Sequence, residues 1–510
     1  MTKGVSKHFL RFYLILRKGD IMASQKAELV TLVGKNNVLG DTETLDSYSR
    51  DQSFTRRMKP RFVVRPSNVD EVQKIVRWAN TTNTPLVPVS SGPPHFNGDT
   101  VPGVSGAVVI DLSNMKKIIS INRRNRIAII EPGVTYSELQ PALAREGMRL
   151  STSLLPRANK SVIASLLERE PRLNCRYQWS SLDPLRCLEI VWGDGNRLWS
   201  GDAGHDALDL ERQWAQEKRQ VAPVGPGQAD FYRFISAAQG SMGIATWASL
   251  RCEVLPRLHK LFFVPAKKLD DLIDFTYRLL RFRYADELFL VNNTNLAYML
   301  EGNSKQIKAL KERLPPWVVI VGIAGRDELP EERVEFQEKD IAEIARQFSL
   351  ELMPALPGAV GARVLEVITN PSREPYWKLG YKGGCQDIFF ITTLDRTPGF
   401  VKTMFETAET SGYPISDIGV YLQPRHQGVN CHCEFSLPYA PGAQQEVSRI
   451  QALFIRASET LVNQGAFFTR PYGIWADMAF ARDKQSTTLL QKIKGIFDPN
   501  GVMNPGKLCF

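Results

Sequence analysis

No stretch of this 510-residue chain reaches the roughly 18 apolar residues that a membrane-spanning helix needs. The apolar segment at residues 9–16 is short, broken by Arg11 and followed by Arg17 and Lys18 with no small-residue cleavage site. Residues 1–21 therefore read as an N-terminal extension, an over-long start in preference to a surface anchor. Cysteine is sparse, seven residues with no C-x-x-C pair, which argues against a disulfide framework and for reduced thiols in a cytoplasmic protein. Basic runs are missing too. The 64 Lys and Arg exceed the 54 Asp and Glu by ten, but no five or six of them stand together. That spread speaks against nucleic acid and for a phosphate-bearing cofactor beside a mildly cationic surface. No repeat or low-complexity tract is present, which excludes a solenoid and a disordered chain.

What remains is an ordinary globular composition, 43% hydrophobic and 23% charged, in a chain too long for one core. From Phe62 the pattern is strand, helix, strand: F-V-V-R-P, then S-N-V-D-E-V-Q-K-I-V-R-W-A-N with apolar residues at helical spacing, then P-L-V-P-V-S. Ser67 stands where an N-cap is expected and Glu71 suits the first turn. Residues 187–192 followed by G-D-G-N predict a strand and hairpin turn. After Pro256 the style changes to amphipathic helices, such as residues 269–282 and 331–348, alternating with strands such as 317–323. Cys431 and Cys433, in C-H-C-E, could hold a metal, but the alternation around His432 favours a strand with every second residue on one face.

The Gly/Pro-rich loop at residues 90–102 carries Gly92 and Gly98, which let backbone N–H groups approach a ligand and could cradle a pyrophosphate. By itself such a loop is more often a plain turn. It stands, however, in an ordered set of four segments. The loop precedes A-V-V-I-D-L-S-N-M; E-P-G-V-T-Y-S-E-L follows; then come A-A-Q-G-S-M-G-I-A-T and, at the end, F-D-P-N-G-V-M-N-P-G-K-L. In that order they resemble the FAD-linked oxidases with a p-cresol methylhydroxylase-type FAD-binding domain. That group holds vanillyl-alcohol oxidase, p-cresol methylhydroxylase and the glycolate oxidase flavoprotein subunit.

The resemblance implies an α+β fold: an FAD-binding domain of two subdomains at residues 22–255, a substrate or cap domain with an antiparallel sheet at 256–465, and a segment at 466–510 that returns to the FAD domain. It implies FAD as cofactor. Ser91, Gly92, Pro94, His95, Asn97 and Gly98 would line the diphosphate; Gly240, Ser241, Gly243 and Ile244 would follow the adenosine and ribityl portion; Asn504 and Lys507 would lie near the isoalloxazine. Where many relatives have T-I-G-G-x-x-A-x-N-A-G-G this chain has S-V-I-A-S-L-L-E-R-E-P-R-L-N at residues 161–174, so Ser161 and Val162 are carried over without the glycines. Relatives that bond FAD covalently through the loop have a histidine nearer Pro93 than His95, so dissociable FAD is expected.

A flavin accepts a hydride at N5, so the protein must place a substrate carbon there, take up a hydroxyl proton and hold any anionic group. Relatives of the hydroxy-acid branch have H-x-G-D-G-N-x-H and a later E-H-G for a metal. This chain has H-Q-G-V-N-C-H from His426 to His432 and no matching glutamate, so no metal is expected. F-F-T-R-P-Y-G is instead similar to the Y-R-T element of the phenol branch. Arg470, Tyr472 and His432 are thus the candidate catalytic residues, Arg470 as a permanent cation for phenolate or carboxylate. The implied activity is FAD-dependent dehydrogenation of a 4-hydroxybenzylic compound or a 2-hydroxy acid, with electrons passing to oxygen or to an iron–sulfur or cytochrome subunit, and homo-oligomerisation left open. The alternative is an FAD-binding electron-transfer or non-catalytic subunit of a larger complex.

Overall fold

In the computed structural model, residues 22–510 are described except 177, 179, 181, 206–207, 219 and 226–229; the expected extension at residues 1–21 lies outside them. Near the N-terminus, Phe62–Val64, Val108–Asp111 and Leu86–Val89 run parallel in that spatial order, and Val38–Leu39 adds an antiparallel edge. The helix Val69–Thr82 makes the crossover between the second and third strands in sequence. Its N-cap is Asn68, not Ser67: the Asn68 side chain accepts from the Glu71 N–H, while Ser67 offers its own N–H to the Glu71 carboxylate. Glu71 closes the cap from the other side, which is why one residue earlier looked equally good in sequence.

A second sheet is antiparallel, in the order Ile118–Asn122, Ile127–Ile130, Gly243–Arg251, Leu185–Trp192, Arg197–Trp199. The last two are the hairpin signalled by Asp194-Gly195, and Gly195 has φ +84°. Helices Tyr136–Arg145 and Val162–Leu167 cover this sheet, with Tyr136, Leu139, Leu143, Val162 and Leu166 in its core.

The third sheet has six antiparallel strands: Leu258–Ala266, Trp317–Gly325, Glu287–Asn292, Gly419–Arg425, Asn430–Tyr439 and Gly384–Thr392. The helices Asp270–Phe282, Pro330–Gln347, Thr397–Thr410 and Gln444–Gln464 supply buried residues to a core on one face, where Cys431, Cys433, Phe435 and Leu437 also point. Alternation then turns His432, Glu434 and Ser436 to the other face, together with Tyr421 and Asp387. Cys431 and Cys433 are therefore core side chains.

The C-terminal segment comes back across the whole chain. Leu86 donates to Val502 O and Asn504 donates to Leu86 O, extending the first sheet. Phe497 stacks on Trp192 with centroids 4.0 Å apart. Among the described residues no helix is long and apolar enough to cross a membrane.

Candidate active site

Between the first two sheets and the six-stranded sheet lies a cavity of about 1620 Å³, counting its open mouth. One end is walled by Ser91, His95 and Asn97 of the Gly/Pro loop and by Gly240, Gly243 and Ile244. Two glycines let this wall pack closely against neighbouring strands. At Gly240, φ is +69° and an added Cβ would stand 2.3 Å from Pro88 Cγ; at Gly243 it would stand 2.7 Å from Val191 O. His95 is buried, and burial followed by the Arg157 charge pulls its pKa down to about 4, so the ring is neutral near pH 7.

The cations here come from a segment the motifs did not mark. Arg157 is buried, donates to Gly92 O at 2.8 Å and lies 5.4 Å from the Phe96 ring centroid, with no ion pair to any described residue. Lys160 bridges Glu168 at 2.7 Å and Glu170 at 2.6 Å. Burial opposes the Lys160 charge, but the two glutamates outweigh it and raise its pKa. All four residues line the cavity. The replaced glycine segment thus brings two carboxylates to the wall together with the lysine that offsets them.

The far end is formed by the six-stranded sheet and the C-terminal segment. Lys378 bonds Asp387 at 2.7 Å and Glu434 at 2.5 Å. Burial raises the Asp387 pKa, while in Glu434 burial is outweighed by Lys378 and His432 and the pKa falls. Both carboxylates line the cavity. Arg470 is 7% exposed, with its guanidinium carbon 4.0 Å from the Phe389 ring centroid, and it makes no ion pair with any described residue. Tyr472 donates its N–H to Arg470 O, so one turn presents both side chains to the cavity. Burial drives the Tyr472 pKa well above 10, keeping the phenol protonated.

Several of the motif residues stand behind this wall. Gly98 gives its N–H to Asp51 at 2.5 Å and its carbonyl to Lys507 at 2.6 Å. Gly92 and Pro94, the latter in a cis bond after Pro93, also lie off the cavity; Gly92 donates to Asn159 O. Ser161 caps the helix Val162–Leu167 through its hydroxyl, and its N–H donates to Ser91 Oγ; Val162 is a core residue. Ser241 accepts the Lys494 ammonium on its carbonyl. Asn504 ties the Asp99 and Gln239 carbonyls together. These residues brace the wall, because their polar groups are spent on other parts of the protein, side chain and backbone.

His432 also needs correcting as a direct contact. It is 1% exposed, bonds Glu434 at 3.0 Å and packs between Phe389 and Tyr421; burial lowers its pKa to about 4. It positions Glu434 from behind. His426, at the hairpin turn, pairs with Asn430. Among the described residues no three His, Cys, Asp or Glu side chains gather as a metal site.

Residues 60–201 match the family model described as FAD binding domain, and residues 472–508 match FAD linked oxidases, C-terminal domain. The chain carries the two domains that mark FAD-linked oxidoreductases. Among its relatives, a D-2-hydroxyglutarate dehydrogenase of Stutzerimonas stutzeri is 21% identical over 94% of this chain and 98% of that protein. The 4-cresol dehydrogenase [hydroxylating] flavoprotein subunit of Pseudomonas putida is 27% identical over 27% of each. In fold, this chain is similar to substrate-bound p-cresol methylhydroxylase, with TM-score 0.81, 18% identity, and 96% and 97% of the two chains covered. The wall fits the family's cofactor: hydroxyl and amide groups from Ser91 and Asn97, and an Arg157 charge with no ion pair to any described residue, suit a pyrophosphate-bearing ligand.

Proposed function

We propose that this FAD-linked oxidoreductase dehydrogenates a small substrate bearing an anionic oxygen, a phenolate or a carboxylate, with that oxygen held by Arg470. The carrying observation is a buried guanidinium on the cavity wall with no carboxylate in ion-pair contact among the described residues, Glu170 sensing its charge only from further off. A buried charge without a partner is costly, and an anionic ligand removes that cost. FAD, when bound, supplies the hydride acceptor. Ser91, His95, Asn97, Gly240, Gly243 and Ile244 would hold it, Tyr472 would assist Arg470, and Asp387 would take the hydroxyl proton. Residues 22–255 with 466–510 would form the FAD-binding part and residues 256–465 the cap.

The substrate is a 4-hydroxybenzylic compound or a 2-hydroxy acid. Relatives include both a 4-cresol dehydrogenase and a D-2-hydroxyglutarate dehydrogenase. Electrons would leave to oxygen or to a protein partner; one relative is named as a flavoprotein subunit. The decisive experiment is anaerobic mixing of the FAD-loaded protein with 4-alkylphenols, 4-hydroxybenzyl alcohols and D-2-hydroxy acids while flavin absorbance is followed. Bleaching by one class identifies the substrate. No bleaching by any of them would leave an electron-transfer subunit as the better reading.

A further inference from the structure

A second cavity, about 980 Å³ with its mouth, adjoins the first and shares Phe96, Asn97, Asp387 and Tyr472 with it. Its lining differs sharply from the charged wall next door. The helix Gln444–Gln464 offers Gln451, Phe454 and Ile455, spaced i, i+3 and i+4 on one face. Opposite stand Phe54, Ile474 and Trp475. The aromatic rings support one another: Phe454 lies 5.3 Å from Trp475 and 6.3 Å from Phe54, centroid to centroid. The lining contains one carboxylate, Asp387, and it is at the shared boundary, already bonded to Lys378 at 2.7 Å.

We propose that this chamber is a subsite for an apolar arm of the substrate. The reacting head would lie in the charged cavity by Arg470, and an aryl or alkyl arm would pass the boundary at Phe96 and Tyr472 into the chamber. This rests on the reading of Arg470 given above. Two observations favour an arm of the same molecule over a separate ligand. The two cavities share walls, and apart from the shared Asp387 the chamber's polar groups are uncharged amides, hydroxyls and a thiol, with no charged side chain of its own to anchor a separate polar ligand. Apolar contact beside a fixed polar head is how a pocket selects for length.

The test uses the FAD-loaded protein and ligands that cannot be turned over, alkanoates without the 2-hydroxyl and phenols without a benzylic C–H: acetate, butanoate, hexanoate and octanoate in one arm; phenol, 4-tert-butylphenol and 4-phenylphenol in the other. Binding is read from perturbation of the flavin spectrum. Once the arm reaches the chamber, Kd should fall about fourfold per added methylene. Ile455→Trp, at a position 45% exposed and so tolerant of size, should remove that increment for the longest members, and Gln451→Trp should do the same. FAD content checks the fold of each variant. If Kd does not fall with length in either series, or the increment survives in both variants, the subsite is refuted. If short members bind through Arg470, as shown by their loss in Arg470→Ala, while length adds nothing, the subsite alone falls. If length adds affinity while Arg470→Ala binds every member as tightly as the wild type, the Arg470 reading falls and the chamber stands. If no member perturbs the flavin, both fall.

Discussion

Arg470 holds its charge over the Phe389 ring instead of against a carboxylate, so its removal should be felt by the ligand more than by the fold. Arg470→Ala should keep its FAD and lose about 3–5 kcal/mol of binding or transition-state stabilisation, roughly two orders of magnitude or more in turnover. Arg470→Lys should recover part of this, since an ammonium lacks the planar fork. Steady-state rates beside flavin spectra make the comparison, and near-normal turnover in Arg470→Ala would take the residue out of the site. The two buried histidines set a pH limit. His95 and His432 are pushed from 6.5 to about 4, so the folded protein keeps them neutral while the unfolded chain protonates them near pH 6.5. Their stability contribution is complete above that pH and is lost as pH falls towards 4, about 3 kcal/mol for each ring. Urea midpoints between pH 7 and pH 4.5 should therefore drop, and His95→Gln should flatten the slope if it folds.

At the level of elements, the Gly/Pro loop is held in place from behind. Gly98 has φ +78°, and a Cβ there would stand 2.0 Å from Thr55 Oγ1. Gly98→Val should thus cost about 1–3 kcal/mol in backbone strain alone. It should also loosen the Asp51 and Lys507 bonds that aim His95 and Asn97 at the cavity. The expected result is a lower melting temperature and a lower flavin-to-protein ratio after purification; full FAD content in a folded variant would show that the loop does not hold the cofactor. The loop's Gly-rich composition was legible in sequence, but not that Gly98 faces Thr55, a neighbour 43 residues earlier. The strand Asn430–Tyr439 is a contrasting case: C-H-C-E alternation by itself told that Cys431 and Cys433 share one face and His432 the other, because a strand has a period of two.

For the whole molecule, the returning C-terminal segment joins what the chain order keeps apart. Lys494 donates to Ser241 O at 2.6 Å and Met503 O at 2.9 Å and pairs with the buried Asp498. Lys494→Met would leave Asp498 buried without its cation, a loss of about 3–5 kcal/mol. Because Ser241 adjoins Gly240 and Gly243 on the cavity wall, the variant should lose FAD as well as stability. Measuring thermal unfolding and flavin release on the same samples checks this; a destabilised protein that retains FAD with unchanged affinity would show that the segment merely packs.

The sequence by itself determined the strand–helix–strand opening from Phe62, the hairpin at Asp194-Gly195 and the family resemblance, and it singled out Arg470 and Tyr472 as candidates. These are local or motif-borne, carried by periodicity, turn chemistry and short ordered segments. Only the tertiary structure decided which residues face the cavity. Asn504 and Lys507 were expected near the flavin ring, yet their side chains hold Asp99, Gln239 and Gly98 backbone. Lys378, Asp387 and Glu434 carry no motif, yet they meet on the wall because strand register sets Asp387 opposite Ser436, one position along the same face from Glu434. Hydrogen bonds spanning more than 400 residues leave no local periodicity to read, so folding alone assigns a polar group to the ligand or to the frame that holds it.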